Sequence, residues 1–213
     1  MANRQEKLEQ LAEAERRAKE RQQFKAAQEL ESLRRTFKRI NKSGDGKISV
    51  SDLQSELDFL GYSISAKDAT QFVWEVDDDN DGGIDWDEFR SMFHRIRDDE
   101  TGCEPRKMFN VVEFLMLDKN HSGSVDMDEC LTLLWARYGK QKVEEKMADM
   151  KEANHPSLQA DAANEKNVNF SFFAEIQRLC RKTQVLKPGA TVVAKVVGLA
   201  AATDPKLAAA TGY

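Results

Sequence analysis

Residues 76–89 read Val-Asp-Asp-Asp-Asn-Asp-Gly-Gly-Ile-Asp-Trp-Asp-Glu-Phe, which gathers seven carboxylates into fourteen positions. Like charges at this spacing repel one another and weaken a compact structure unless a cation compensates them. Calcium takes about six to eight oxygen ligands, and a twelve-residue loop supplies them from positions 1, 3, 5, 7, 9 and 12, with glycine at position 6. In loop 2, residues 77–88, Gly82 stands at position 6, and the predicted ligands are Asp77, Asp79, Asp81, the carbonyl of Gly83, Asp85 and Glu88.

Loop 3, residues 118–129, repeats this pattern around Gly123. Its predicted ligands are Asp118, Asn120, Ser122, the carbonyl of Ser124, Asp126 and Glu129. Three of them are acidic, against five in loop 2. Because fewer carboxylates attract a dication less strongly, we expect both loops to bind calcium and loop 2 to bind it more tightly. His121 is not at a ligand position and is expected to face solvent.

Two further segments keep the loop pattern but lack several of its metal ligands. Loop 1, residues 41–52, has only two carboxylates, since its ligand positions hold Asn41, Ser43, Asp45, the carbonyl of Lys47, Ser49 and Asp52. We expect weak calcium binding, magnesium or no metal there, because the closing aspartate is shorter than a glutamate. In the fourth segment, Lys166 replaces the glycine and Phe172 replaces the closing glutamate, which predicts no metal site.

The four segments share a β-branched residue just after the loop centre. These residues are separated by 36, 41 and 43 positions, and they are Ile48, Ile84, Val125 and Val168. Amphipathic patterns flank each of them, so the chain is predicted to contain four helix–loop–helix units. Three aromatic residues of the fourth unit are predicted to lie in the core, namely Phe170, Phe172 and Phe173.

Both ends of the chain lie outside this repeat. Residues 2–40 contain no proline or glycine and are rich in strong helix formers, which predicts one continuous helix. Its first part has too few apolar residues for a clear coiled-coil seam, so it is either a solvated, frayed arm or an arm ordered by a partner. The alanine- and valine-rich C-terminal tail is either disordered or a docking peptide. The predicted domains are an arm (1–29), a first pair of units (30–97), a linker bent at Gly102 and Pro105 (98–104), a second pair (105–181) and the tail (182–213).

Composition excludes several classes of function. The net charge of −5 provides no basic face for nucleic acid. No apolar run reaches the roughly 20 residues that span a bilayer, and the N-terminus lacks an export signal, so we expect a cytoplasmic protein without a membrane partner. The sequence contains no serine or cysteine nucleophile motif and no phosphate-binding loop, so no enzyme activity is predicted. The three cysteines, Cys103, Cys130 and Cys180, are read as reduced thiols, with a redox switch as the alternative.

Residues 30–181, which contain the three loops, resemble the calmodulin superfamily of EF-hand proteins. The resemblance implies an all-α fold of two EF-hand pairs, here preceded by a long N-terminal helix and followed by a mostly irregular tail. It also implies that the loops of each pair join by a short antiparallel bridge, between Ile48 and Ile84 and between Val125 and Val168. We predict that most methionines fill the core rather than line a groove. The three tryptophans, Trp74, Trp86 and Trp135, are predicted to be structural anchors.

A narrower resemblance lies in residues 104–139, which run from Glu104-Pro-Arg-Lys-Met-Phe109 to Arg137-Tyr-Gly139. This stretch is similar to EF-hand proteins of protist cilia and flagella, including the calcium-binding subunit of the outer dynein arm docking complex. The similarity implies a location in the cytoskeleton, in the axoneme of a cilium or flagellum. It further implies coiled-coil or microtubule-associated axonemal proteins as partners.

Two functions remain open at this stage. The first is a non-enzymatic calcium-binding subunit that is docked in a cytoskeletal, axonemal assembly and confers a modest calcium response. The second is a free calmodulin-like sensor that binds target helices when it is loaded with calcium. Both predict two calcium sites, in loops 2 and 3.

Overall fold

The computed structural model describes residues 2–99, 101, 103–159 and 166–182. Helices dominate the described part, and two three-residue strands form one small antiparallel sheet. The predicted all-α class with a long N-terminal helix is therefore confirmed, whereas the tail from residue 183 lies outside the described residues. In chain order the elements are α1 (Ala2–Ile40), α2 (Val50–Phe59), α3 (Ala66–Trp74), α4 (Trp86–Arg97), α5 (Lys107–Leu117), β1 (Ser124–Asp126), α6 (Met127–Tyr138), α7 (Lys140–Glu152), α8 (Pro156–Gln159), β2 (Asn167–Asn169) and α9 (Phe170–Lys182).

Helix α1 is continuous over 39 residues, as its composition predicted. Its C-terminal part buries Leu33, Phe37 and Ile40, whose spacing forms one apolar stripe toward the core. Residues 10–28 are exposed on all sides, and we call this segment the arm. Pairs one turn apart support the arm in water, including Glu13 and Arg17 at 2.5 Å.

Short antiparallel bridges join the loops in pairs. Ile48 and Ile84 exchange two backbone hydrogen bonds of 2.8 and 3.0 Å. In the second pair, β1 and β2 are antiparallel with Val125 opposite Val168. Both pairings confirm the expectation from the resemblance, and they place loop 1 beside loop 2 and loop 3 beside the fourth segment.

The two pairs of hands share one hydrophobic core. Phe93 of α4 stacks on Phe109 of α5 with ring centroids 5.2 Å apart. Tyr62, in the first pair, contacts Phe170 of α9 edge to face at 5.1 Å. The described residues between Arg97 and Lys107 are not helical, as the sequence predicted, and the second pair packs against the first.

The core predictions hold for most aromatic and sulfur side chains. The predicted core phenylalanines of the fourth unit are all buried, as are Met92, Met108 and Met150. Trp86 packs edge to face against Phe37. Trp74, in contrast, is 68% exposed, so its prediction as an anchor was wrong. It lies beyond the apolar stripe of α3, which buries residues 69, 72 and 73.

Candidate metal centres

Loop 2 brings three of its predicted ligands together. The carboxylates of Asp77, Asp79 and Asp81 each place an oxygen within 4.8 Å of the others. The chain turns back at Gly82, whose φ of +92° favours a residue without a Cβ atom. The amide of Gly82 donates to Asp77 Oδ2 at 2.9 Å, and the amide of Asp81 donates to Asp77 Oδ1 at 3.2 Å. These hydrogen bonds hold the first carboxylate toward the centre of the loop.

The last residue of loop 2 also faces its beginning. Glu88 Oε1 accepts a hydrogen bond from the amide of Asp78 at 2.8 Å, and Oε2 accepts one from the amide of Asp85 at 2.9 Å. Asp85 in turn caps α4 by accepting from the amides of Asp87 and Glu88. This reciprocal cap fixes the start of α4 so that Glu88 closes the loop. A dense set of hard oxygen atoms around one turn suits calcium.

Loop 3 begins like loop 2 but closes differently. The amides of Ser122 and Gly123 donate to the two carboxylate oxygens of Asp118 at 2.9 and 3.0 Å. Asp126 caps α6 by accepting from the amides of Asp128 and Glu129, but no reciprocal bond forms: the exposed side chain of Glu129 accepts no hydrogen bond from the described residues. Ser122 Oγ donates to the carbonyl of Ser124 at 2.9 Å, so two predicted ligands bind each other. The described structure thus gathers the start of loop 3 without its closing carboxylate.

Loop 1 satisfies its acceptors with its own donors. Ser43 Oγ donates to Asn41 Oδ1 at 2.8 Å, and Ser49 Oγ donates to Asp52 Oδ2 at 2.7 Å. Burial opposes ionisation of Asp52, but the hydrogen bonds from Ser49 and Ser43 outweigh it and lower its pKa. The side chain of Lys47 leaves loop 1 and forms an ion pair with Asp81 of loop 2. Weak or absent metal binding in loop 1 stays a prediction with this physical reason.

Comparison with protein families agrees with this geometry. Residues 30–94, which include loops 1 and 2, match the model of an EF-hand domain pair. Residues 111–133, which include loop 3, match the model of an EF hand. The chain therefore contains EF hands, and it is similar to calmodulin-like proteins. Its EF-hand domains imply calcium binding, while the number of occupied loops remains a prediction.

Three relatives of this EF-hand protein match between 37% and 78% of its length. A calmodulin-like protein of Oryza sativa subsp. japonica is 27% identical over 167 residues, which cover 78% of this chain and 93% of the relative. Calmodulin-like protein 5 of Arabidopsis thaliana is 40% identical over 85 residues, 37% of this chain and 40% of the relative. Troponin C of Todarodes pacificus is 32% identical over 99 residues, 46% of this chain and 64% of the relative.

One feature of the third EF hand was missed by sequence reasoning. Arg39, at the end of α1, donates from Nη1 to Asp118 Oδ2 at 2.9 Å and to the Asp118 carbonyl at 3.1 Å. Its Nε donates to Glu56 Oε1 at 2.7 Å. Burial would raise the pKa of Asp118, but hydrogen bonds from the Gly123 amide and Arg39 lower it below its ordinary value. The sequence shows Arg39 as a charged residue beside the apolar stripe of α1, but it does not identify the residue that Arg39 contacts.

Among the described residues, the three cysteines and His121 do not join the cluster of metal-ligating side chains in loop 2. Cys130 is buried, and burial raises the pKa of its thiol to about 12. Cys180 is also buried with a raised pKa, whereas Cys103 is exposed. His121 is exposed, as predicted. Among the described helices, none combines the length and the apolar character that a bilayer span requires.

Proposed function

We propose that this chain is a non-enzymatic calcium-binding subunit of a larger protein assembly, to which the arm attaches it. The observation that carries the proposal is the arm itself, a helical segment that is exposed on all sides while its continuation is buried in the core. Leu11 and Phe24 are 53% and 63% exposed on it. A partner that covers them would position the EF hands rigidly, because α1 continues without a break into the first hand.

We further propose that the assembly is cytoskeletal and lies in the axoneme of a cilium or flagellum. The similarity of residues 104–139 to ciliary EF-hand proteins supports this location. Coiled-coil or microtubule-associated axonemal proteins suit the arm, since its charged side chains can form ion pairs with those of a partner helix. Nucleic acid and membrane surfaces do not suit a chain with a net charge of −5.

A fractionation experiment tests this proposal. Cells that express the tagged full-length chain are extracted with detergent in a calcium chelator, and the protein is expected to remain in the insoluble cytoskeleton. A variant that lacks residues 2–27 is expected to be released, because it retains the core and loses the arm. The matched control is Glu88→Gln, which alters a predicted calcium ligand and leaves the arm intact. Release of the full-length chain by the chelator contradicts docking through the arm.

The second candidate is a free calcium sensor that captures a target helix. It is favoured by the calmodulin-like relatives and by a cleft of about 620 Å³ between the two pairs, lined in part by Tyr62, Phe72 and Phe170. Sensor hands bind calcium with dissociation constants of about 10⁻⁷–10⁻⁵ M. Dissociation constants in this range, measured by calorimetric titration in millimolar magnesium, would support this function over the first if the chelator also releases the protein from the cytoskeleton.

A further inference from the structure

Loops 2 and 3 differ in what surrounds the carboxylate at position 1. Asp77 and Asp118 each accept hydrogen bonds from the amides four and five residues later. Asp118 alone of the two also binds a guanidinium, that of Arg39. The Asp118 side chain is 0% exposed and that of Arg39 is 6% exposed, so water screens this ion pair very little.

We infer that Arg39 is an internal cation that lowers the calcium affinity of loop 3 and couples that loop to the packing of the two pairs. The inference rests on the proposed calcium-binding function. It adds a residue that contributes to the difference in calcium affinity between loops 2 and 3. Arg39 lies outside all twelve positions of loop 3 and reaches it from the first hand. It therefore changes the electrostatic field at loop 3 without contributing a ligand.

The magnitude follows from the distance between the two cations. Calcium binds a carboxylate oxygen at about 2.3–2.6 Å, and Nη1 of Arg39 is 2.9 Å from Oδ2 of Asp118. An ion and a guanidinium that share this carboxylate therefore lie within about 7 Å of each other. At that separation their repulsion corresponds to about a sevenfold loss of affinity with the dielectric constant of water, and to more in a buried site.

The same contact connects loop 3 to the first pair. Arg39 also binds Glu56 of α2, and Arg35 donates to the carbonyl of Met116 at 3.0 Å, two residues before loop 3. The Phe59 ring lies against Gly123, the turn of loop 3. Coupling between two equilibria is reciprocal. The contact of α1 and α2 with loop 3 weakens calcium binding there, so bound calcium weakens this contact by the same free energy.

The test compares Arg39→Gln with Lys42→Gln in the full-length chain. Both carry Glu88→Gln to weaken calcium binding in loop 2, and a Glu129→Gln variant in this background identifies the heat that belongs to loop 3. Arg39→Gln is expected to tighten calcium binding in loop 3 at least about sevenfold in calorimetry. Lys42 is the matched control, because its amine lies 3.3 Å from Glu56 but does not contact Asp118. Its side chain is about half exposed. Its removal is expected to change the affinity by less than about twofold.

Folding is monitored by circular dichroism, and Arg39→Gln leaves Glu56 paired with Lys42. A second variant, Arg39→Gln with Glu56→Gln, removes both partners and is expected to show the same tightening. Hydrogen exchange provides a readout independent of affinity: calcium is expected to accelerate amide exchange in residues 33–40 and 56–60 of the wild-type chain and not of Arg39→Gln.

Three outcomes overturn the inference: unchanged affinity in Arg39→Gln, weaker affinity, or no calcium in loop 3 of either chain. The proposed calcium binding is tested separately, because it fails if the chain with Glu88 intact binds no calcium in loop 2 or loop 3. Binding in loop 3 of Arg39→Gln alone, with none in the wild-type loop, supports the inference.

Discussion

The shared core predicts that both EF-hand pairs unfold together, and Phe109→Ala tests this. Phe109 is fully buried, stacks on Phe93 of the other pair, and lies 5.4 Å from the guanidinium carbons of Arg106 and Arg137. Truncation of a buried phenylalanine to alanine costs about 3–5 kcal/mol. That loss is a large part of the roughly 5–15 kcal/mol that stabilises a typical domain. We therefore expect the free energy of unfolding to fall by about 4 kcal/mol.

The assay is equilibrium unfolding in urea with a chelator, so that metal binding does not add to the stability. Circular dichroism follows all helices, and single-tryptophan variants that retain Trp86 or Trp135 report on the first and second pair. Both reporters are expected to show one midpoint, which Phe109→Ala lowers equally for the two. Phe24→Ala, the same substitution on the exposed arm, is expected to change stability by less than about 0.5 kcal/mol. Separate midpoints, or a loss confined to the second pair, would refute the shared core as the source of cooperativity.

The remaining predictions concern calcium and the thiols. Glu88→Gln is expected to weaken calcium binding in loop 2 at least about tenfold, because it removes a charge in direct contact with the ion; an unchanged calorimetric affinity contradicts closure by this residue. Calcium is expected to shift the emission of Trp86, which occupies position 10 of loop 2, and a spectrum that does not respond contradicts occupancy of that loop. Iodoacetamide is expected to modify Cys103 in the folded protein and Cys130 only after unfolding, since burial raises the pKa of Cys130 to about 12. Mass spectrometry measures the modification, and a modified Cys130 without denaturant contradicts its burial.

Local features of this fold could be predicted from the sequence because local spacing determines them. A glycine at position 6 and oxygen donors at fixed offsets specify a loop whatever surrounds it, and the structure gathers Asp77, Asp79 and Asp81 accordingly. The bridge between Ile48 and Ile84 follows from the same repeat. The long α1 follows from helix propensity that no proline or glycine interrupts.

Features that depend on how the two pairs pack could not be predicted. Arg39 and Asp118 are 79 residues apart, and their contact depends on the angle at which the second pair folds against α1. The exposed Trp74 was mispredicted for a related reason, since a large aromatic residue is usually buried and only the orientation of α3 turns it outward. The outward position of Glu129 likewise depends on the surroundings of loop 3, because its residue type equals that of Glu88.

The first hand has lost metal ligands yet supplies a cation to each of the other two candidate loops. Lys47 pairs with Asp81 of loop 2, but its side chain is 44% exposed, so water and salt screen the pair and calcium displaces it at little cost. Arg39 pairs with Asp118 in a buried setting, where displacement removes a hydrogen-bonded partner from a carboxylate. The order of affinity expected from carboxylate number is thus reinforced by a second, independent cause. Loop 2 has more acidic ligands and an easily displaced cation, while loop 3 has fewer acidic ligands and a cation that is held by the fold.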